Sequence, residues 1–249
     1  MNEINIISSD KRYEALNEIF LENGYSSRLC LPDDVQSPNI LILPIKSALD
    51  DEDFLKIFRS IKESTLVFCG QGAPLERFSK GNLISYSNNE GFLDKNAYIT
   101  AECMLGILIN KLEKSLSHSS IAIIGYGRIG KHLCRLLKFL GAKVTVFARR
   151  EESRALAVQN GASALEICEL PKASYDAILN TVPERIISKS ESDKIPLSTQ
   201  IYDLASLPGG FEDEERPIRA LALPGKMMPI SAGRAIFDFV IEYISNERS

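Results

Sequence analysis

The chain alternates between short apolar runs and longer amphipathic stretches. INIIS (residues 4–8) is a compact apolar run. KRYEALNEIFLENG follows, with Tyr13, Leu16, Ile19 and Phe20 at helical spacing and Gly24 where a helix would stop. NILILPI (39–45) predicts a buried strand. DEDFLKIFRSI predicts a second amphipathic helix, and its acidic start suits the helix dipole. TLVFCG (65–70) and LISYS (83–87) predict two further strands. Alternation of this kind predicts a parallel sheet covered by helices.

Residues 96–116, NAYITAECMLGILINKLEKSL, carry a long helical pattern, and SHSS (117–120) reads as a boundary. A second alternating series then begins. IAIIG, KVTVFA, AILNTV (177–182) and QIYDLAS (200–206) have the character of strands. RIGKHLCRLLKFLG and SRALAVQNG have that of helices, and GRAIFDFVIEYISN (233–246) predicts a final helix. No tandem repeat or low-complexity segment interrupts the pattern.

With 249 residues the chain has room for two modest domains. A net charge of −4 supplies no general attraction to nucleic acid or anionic membrane. No apolar run reaches the ~18–20 residues that span a bilayer. MNEINIISSD is acidic-polar and then strand-like, so no secretory leader is expected. The five cysteines stand singly, without a CxxC pair, and there are only two histidines. This suggests reduced thiols in a cytoplasmic protein and argues against a Cys/His metal site.

The candidate chemistry begins at IAIIGYGRIGKHL, where Gly125, Gly127 and Gly130 fit G-x-G-x-x-G between a strand and a helix. In such a loop the first glycine allows the tight turn, the second lets backbone approach a pyrophosphate, and the third lets the helix pack closely. Tyr126, Arg128 and Ile129 complete the loop, and the helix N terminus offers N–H groups to phosphate. An NAD site usually places a carboxylate at the end of the second strand, ~20 residues on. Here Ala148 is followed by Arg149 and Arg150. Forked guanidinium groups suit a 2′-phosphate, which favours NADP over NAD. Arg154 is an alternative if the loop register differs. Two segments follow later strands where a nicotinamide ring is expected: Asn180-Thr181-Val182-Pro183, and Asp203-Leu204-Ala205 with the residues after it.

The predicted fold is therefore α/β, with two doubly wound parallel-sheet domains joined by a long helix and an active site between them. The second is a Rossmann dinucleotide-binding domain, residues 118–231. Residues 96–117 form the connecting helix. Residues 1–95, completed by 232–249, form a flavodoxin-like substrate domain. The crossing-back of the last helix follows by analogy with two-domain dehydrogenases.

GYGRIG, LGAKVTVFARR, NTVP, DLASLPGG and LPGKMMPISAG occur in that order. Together they resemble the dipicolinate synthase A family, from about residue 94 to residue 245. Toward the N terminus the resemblance weakens. Ser8-Ser9-Asp10-Lys11-Arg12 stands where the family has Gly-Gly-Asp-x-Arg. Residues 96–103, NAYITAEC, keep Thr100, Ala101 and Glu102 of an Asn-Ala-x-Pro-Thr-Ala-Glu-Gly segment. Met228-Pro229-Ile230-Ser231-Ala232-Gly233 stands for Ala-Pro-x-Thr-Ala-Gly.

The resemblance implies an NADP-dependent oxidoreductase. Its partner would be a flavoprotein-like second subunit, dipicolinate synthase B. Together they would oxidise dihydrodipicolinate, or its hydroxy-tetrahydro form, to dipicolinate in the mother cell of a sporulating bacterium. The substrate it implies is a small cyclic dicarboxylate, which calls for cations and N–H groups. Arg12 and Lys226 are the candidate cations. Backbone at Gly209, Gly210, Ser231, Ala232 and Gly233 would assist. Glu102 and Asp10 are the candidate bases for the proton that leaves with the hydride, and Thr100 or Ser206 could hold a substrate hydroxyl. His118, His132 and Cys103 are poorer choices. Two other readings stay open: another NADP-dependent dehydrogenase of a small carboxylic acid, and a non-catalytic NADP-binding subunit of a complex. A homo-oligomer is compatible with each.

Overall fold

The structure is a computed structural model that describes residues 3–45, 49–70, 83–172 and 174–247. The chain divides into two compact units, Met1–Asn96 with Pro224–Ser249, and Ala97–Leu223.

The first unit contains β1 (Glu3–Ile7), α1 (Lys11–Glu22), β2 (Ser26–Cys30), β3 (Ile40–Ile42), α2 (Asp51–Ser60), β4 (Leu66–Cys69) and β5 (Leu83–Ser85). Its strands are parallel, in the order β2-β1-β3-β4-β5. This is one of the two common doubly wound orders. Helix α1 forms where expected: Tyr13, Leu16, Ile19 and Phe20 are buried, Asp10 caps its N terminus, and Gly24 follows its end at φ +80°. A capping box between Asp50 and Asp53 starts α2. β3 covers three residues of the seven in the apolar run. Pro44 has no N–H to extend the ladder. β2, Ser-Ser-Arg-Leu-Cys, carries no apolar pattern because it is a sheet edge with only Cys30 buried.

Helix α3 (Glu90–Lys111) starts six residues before the expected position, and the boundary between the units falls within it. The second unit then holds β6 (Ser120–Ile124), α4 (Arg128–Phe139), β7 (Lys143–Phe147), α5 (Glu151–Gln159), β8 (Ser163–Leu165), β9 (Ala177–Asn180), the single turn α6 (Lys189–Ser192), β10 (Gln200–Asp203) and β11 (Ile218–Arg219). Its parallel strands run β11-β10-β9-β6-β7-β8. Counted from β6 this is the Rossmann order, and it reverses between β6 and β9. Ala122, Ile124, Phe147, Ile178, Ile201 and Phe211 form part of the core on one side of this sheet.

After α7 (Leu223–Met227), α8 (Pro229–Glu247) packs along α1 of the first unit. The close approach requires Gly233: a Cβ there would lie 2.8 Å from the Arg12 carbonyl oxygen and 2.9 Å from the Leu16 nitrogen. Phe237 meets Phe20 with ring centroids 5.0 Å apart, and Phe239 meets Phe68 at 5.7 Å. Among the described residues no helix is long and apolar enough to cross a membrane.

All five cysteines are free, and Cys168 is the exposed one. Burial pushes the Cys69 thiol up to about 11 and raises those of Cys30 and Cys134. Since the thiolate is the reactive form, a disulfide reagent at pH 8 should modify one thiol quickly. Cys168→Ser should remove that fast phase. Reaction of several thiols at one rate, without denaturant, would contradict the burial.

Candidate dinucleotide site

The loop after β6 lies at the reversal of strand order, where doubly wound sheets open a crevice. Each of its glycines has a different cause. Gly125 adopts φ +92°, and a Cβ there would lie 2.6 Å from Val182 Cγ2 and 2.7 Å from Thr181 Oγ1. Gly130 faces the Gly125 backbone so closely that any side chain would collide with it. Gly127 is unlike both. Its φ of −76° is ordinary, and no atom lies within 4 Å of a Cβ placed on it. Neither backbone strain nor protein packing requires glycine at 127, so the space beside it fits a ligand that approaches the main chain. Gly127 is also the N-cap of α4, and no side chain caps that twelve-residue helix. Its N terminus therefore suits phosphate.

The other loop residues divide by role. Gly127 and Arg128 are exposed and Ile129 is half-buried. Tyr126 turns inward: its hydroxyl accepts from Asn160 Nδ2 at 3.1 Å, and burial pushes the phenol up to about 12. Its side chain thus braces α5, leaving only its main chain in the loop.

At the end of β7, Ala148 is buried while Arg149 and Arg150 are exposed, and no carboxylate occupies the position. Arg149 Nη2 pairs with Glu184 at 3.2 Å. Arg154 is engaged elsewhere. Its Nη1 donates to the carbonyls of Ala148 and Arg149 at 2.8 and 2.7 Å, which shapes the turn on which Arg149 and Arg150 stand.

The segments after β9 and β10 are fastened to each other. Thr181 Oγ1 donates to the Ile124 carbonyl at 2.9 Å, holding the β9 loop against β6. Buried Asn180 donates to Val182 O at 3.0 Å and accepts from Val182 N at 3.1 Å, and Pro183 beyond it is exposed. Asp203 is wholly buried. Its Oδ1 accepts from Asn180 Nδ2 (2.8 Å) and Ala205 N (3.1 Å). Its Oδ2 accepts from Gly210 N (3.0 Å) and Arg219 Nη1 (2.9 Å). Leu204 N donates to Asn180 O at 2.9 Å. Asp203 thus organises the loop, and its carboxylate is occupied by protein groups. The N–H groups of Gly209 and Gly210 were expected to face a substrate carboxylate. They are instead donated to Ser206 O and Asp203. Ser206 is exposed at the loop tip.

Thr100 and Glu102 lie on α3 in the second unit, Thr100 buried and Glu102 half-buried. His132 is buried on α4 with its ring edge-on to Tyr98, a packing position.

Asp10 and Arg12 belong to the first unit. Asp10 Oδ1 accepts from the Arg12 main-chain N at 3.0 Å and from Arg12 Nε at 2.9 Å. Arg12 is buried, which is unusual for arginine. Lys226 and Ser231 are exposed. Helix α8 begins at Pro229, and Ala232 N already donates to Met228 O at 3.0 Å. Ala232 and Gly233 therefore lie within the helix, not at the N terminus expected there.

Residues 107–190 match the model of the D-isomer specific 2-hydroxyacid dehydrogenase NAD binding domain. With the loop geometry, this makes the second unit a Rossmann domain for a nicotinamide dinucleotide, of the kind oxidoreductases carry. The particular likeness extends beyond that domain. The chain is a homologue of dipicolinate synthase A of Bacillus subtilis (strain 168), 26% identical over 243 residues, which cover 87% of this chain and 82% of that one. Two crystal structures share the fold. Dipicolinate synthase A from Bacillus halodurans has a TM-score of 0.79 at 23% identity, with 97% of each chain covered. The corresponding protein from Bacillus subtilis has 0.79 at 21%, with 98% of this chain and 96% of that one covered.

Sequence reasoning overlooked Arg219. It stands on a two-residue edge strand sixteen positions from Asp203, and no motif or periodicity marks it.

Proposed function

We propose that the chain is the dinucleotide-binding component of a dipicolinate-synthase-type oxidoreductase that uses NADP. It acts with a second, flavoprotein-like component, dipicolinate synthase B. The pair oxidises dihydrodipicolinate, or its hydroxy-tetrahydro form, during sporulation in the mother-cell cytoplasm. The likeness to dipicolinate synthase A over 87% of the chain carries this reading. The open position beside Gly127 supports the cofactor.

When bound, the nicotinamide ring supplies the hydride acceptor. The Gly125–Gly130 loop and the α4 N terminus hold the pyrophosphate. Backbone of the loops after β9 and β10, including Thr181, Val182, Leu204 and Ala205, would hold the ring. A Glu102 carboxylate oxygen takes the proton released from the substrate ring, and Thr100 or Ser206 orients a hydroxyl. Arg12, in the first of the two units, binds a substrate carboxylate, with Lys226 and Ser231 as further polar groups. Asp10 caps α1 and pairs with Arg12, so its replacement would disturb the fold as well as the chemistry. Glu102→Gln is the cleaner variant: turnover with the partner protein should fall while dinucleotide affinity stays unchanged.

Arg149 and Arg150, together with the missing carboxylate at the end of β7, support the NADP reading. The Arg149–Glu184 pair is exposed on both sides and therefore weak, so a doubly charged 2′-phosphate would displace it. Parallel fluorescence titrations should show NADPH binding at least about tenfold tighter than NADH, or ~1.4 kcal/mol. The double variant R149A/R150A should bring the two affinities together. Tighter NADH binding by the unaltered protein would overturn the arginine argument. Binding of neither would overturn the dinucleotide reading.

A further inference from the structure

We propose that Arg219 is a positioning residue for the nicotinamide half of the dinucleotide site, acting through Asp203. The inference rests on the dinucleotide reading above.

The loop of residues 204–210 is not held by apolar burial at its tip. Leu207 is 72% exposed, and Ser206 and Pro208 are exposed as well. Polar bonds set its course. Arg219 reaches it at two points: Nη1 bonds Asp203 Oδ2 at 2.9 Å, and Nη2 donates to the Pro208 carbonyl at 2.8 Å. One guanidinium thus spans the start of the loop and its tip. The same Asp203 oxygen also receives the Gly210 N–H, which closes the loop's end onto its beginning. Asp203 Oδ1 holds Asn180, which holds Val182. The arrangement therefore links the loop after β10 to the loop after β9.

The glycines show how tightly the parts fit. Gly209 has φ +85°, and a Cβ there would lie 2.9 Å from Arg219 Cζ. At Gly210 a Cβ would lie 2.6 Å from Asn180 Cγ. The Gly-Gly pair follows the guanidinium and the amide, which accounts for two glycines whose backbone the sequence assigned to a substrate carboxylate.

Asp203 is buried completely, and a buried carboxylate without a cation is costly. The Arg219 side chain, itself only 24% exposed, supplies that charge. Without it the carboxylate would be driven toward water, and the loop would move with it. The adenine half of the site uses β6, α4 and the end of β7, none of which Arg219 is seen to bond. Its removal should therefore act on one half of a dinucleotide and not on the other.

The test uses the full chain and two ligands. NADPH engages both halves, whereas 2′,5′-ADP contains only the adenine half. In Arg219→Met, NADPH should bind at least about tenfold more weakly than to wild type, with the affinity for 2′,5′-ADP within about twofold. Arg219→Lys retains a charge opposite Asp203 but not the forked second donor, so it should show a smaller loss confined to NADPH. Equal weakening of both ligands would assign Arg219 a general folding role and overturn the proposal. Unchanged NADPH affinity in both variants would also overturn it. If Arg219→Met does not fold, the lysine variant alone decides on the same criterion. A wild-type protein that binds NADPH, NADH and 2′,5′-ADP all undetectably would remove the dinucleotide reading, and with it this role; one that binds NADH alone would be tested with NADH and 5′-AMP on the same criterion. Failure of Arg219 alone would leave wild-type binding of both ligands intact.

Discussion

Gly127→Asp should leave the protein as stable as wild type and abolish dinucleotide binding. Residue 127 has φ −76° and ψ −165°, which any residue adopts, and nothing lies within 4 Å of an added Cβ. It is also the N-cap of α4, where aspartate is among the preferred residues. The new carboxylate would accept from the N–H groups of the first turn, so the helix should gain a few tenths of a kcal/mol over glycine. Those are the groups the phosphates need, and the added charge repels them. Affinity for NADPH and NADH should both fall by at least about 100-fold, or ~2.7 kcal/mol. Thermal denaturation and fluorescence titration of the same preparation would check both halves of the expectation. Retained binding would mean that the loop is a structural turn. Substitution at Gly130 should act in the opposite way, destabilising the unit because the helix packs directly on the Gly125 backbone.

The largest loss of stability is expected from Asp203→Ala. The carboxylate is wholly buried and accepts from Asn180, Ala205, Gly210 and Arg219. Alanine removes every one of these acceptor contacts, leaving the Ala205 and Gly210 N–H groups without this acceptor and the largely buried Arg219 guanidinium, still bonded to the Pro208 carbonyl, without its counter-charge. Breaking a buried pair from one side costs about 3–5 kcal/mol. For a chain of this length that corresponds to a fall in Tm of roughly 10 °C. Asp203→Asn should cost less, because an amide oxygen still accepts part of the network. Urea denaturation of the three proteins would give the order. A loss below about 1 kcal/mol for the alanine variant would show that water replaces the carboxylate.

Elements with strong local patterns were legible in the sequence, and those defined by sheet position were not. Tyr13, Leu16, Ile19 and Phe20 marked α1 because a helix repeats its buried face within a few residues. β2, β8 and β11 were missed. β2 and β8 are exposed or half-buried along most of their length, and β11 is only two residues long. The last helix, expected over 233–246, starts four residues earlier, at Pro229. Proline at a first helical position begins it.

The sequence by itself determined the glycine turn between β6 and α4, since a strand, a glycine turn and a helix N terminus are adjacent in the chain and interact locally. It also exposed the absence of a carboxylate after β7. The tertiary structure decided what the neighbouring side chains do. Tyr126 turns to Asn160, 34 residues away, and Thr181 holds Ile124 across 57. Arg149 meets Glu184, and Asp203 meets Arg219. The Thr181–Ile124 and Asp203–Arg219 contacts are created by the strand order, which sets β9 beside β6 and β11 beside β10, and the other two by loops that the same sheet brings together. Spacing along the chain carries no record of that order, so only the folded sheet shows which side chains meet one another.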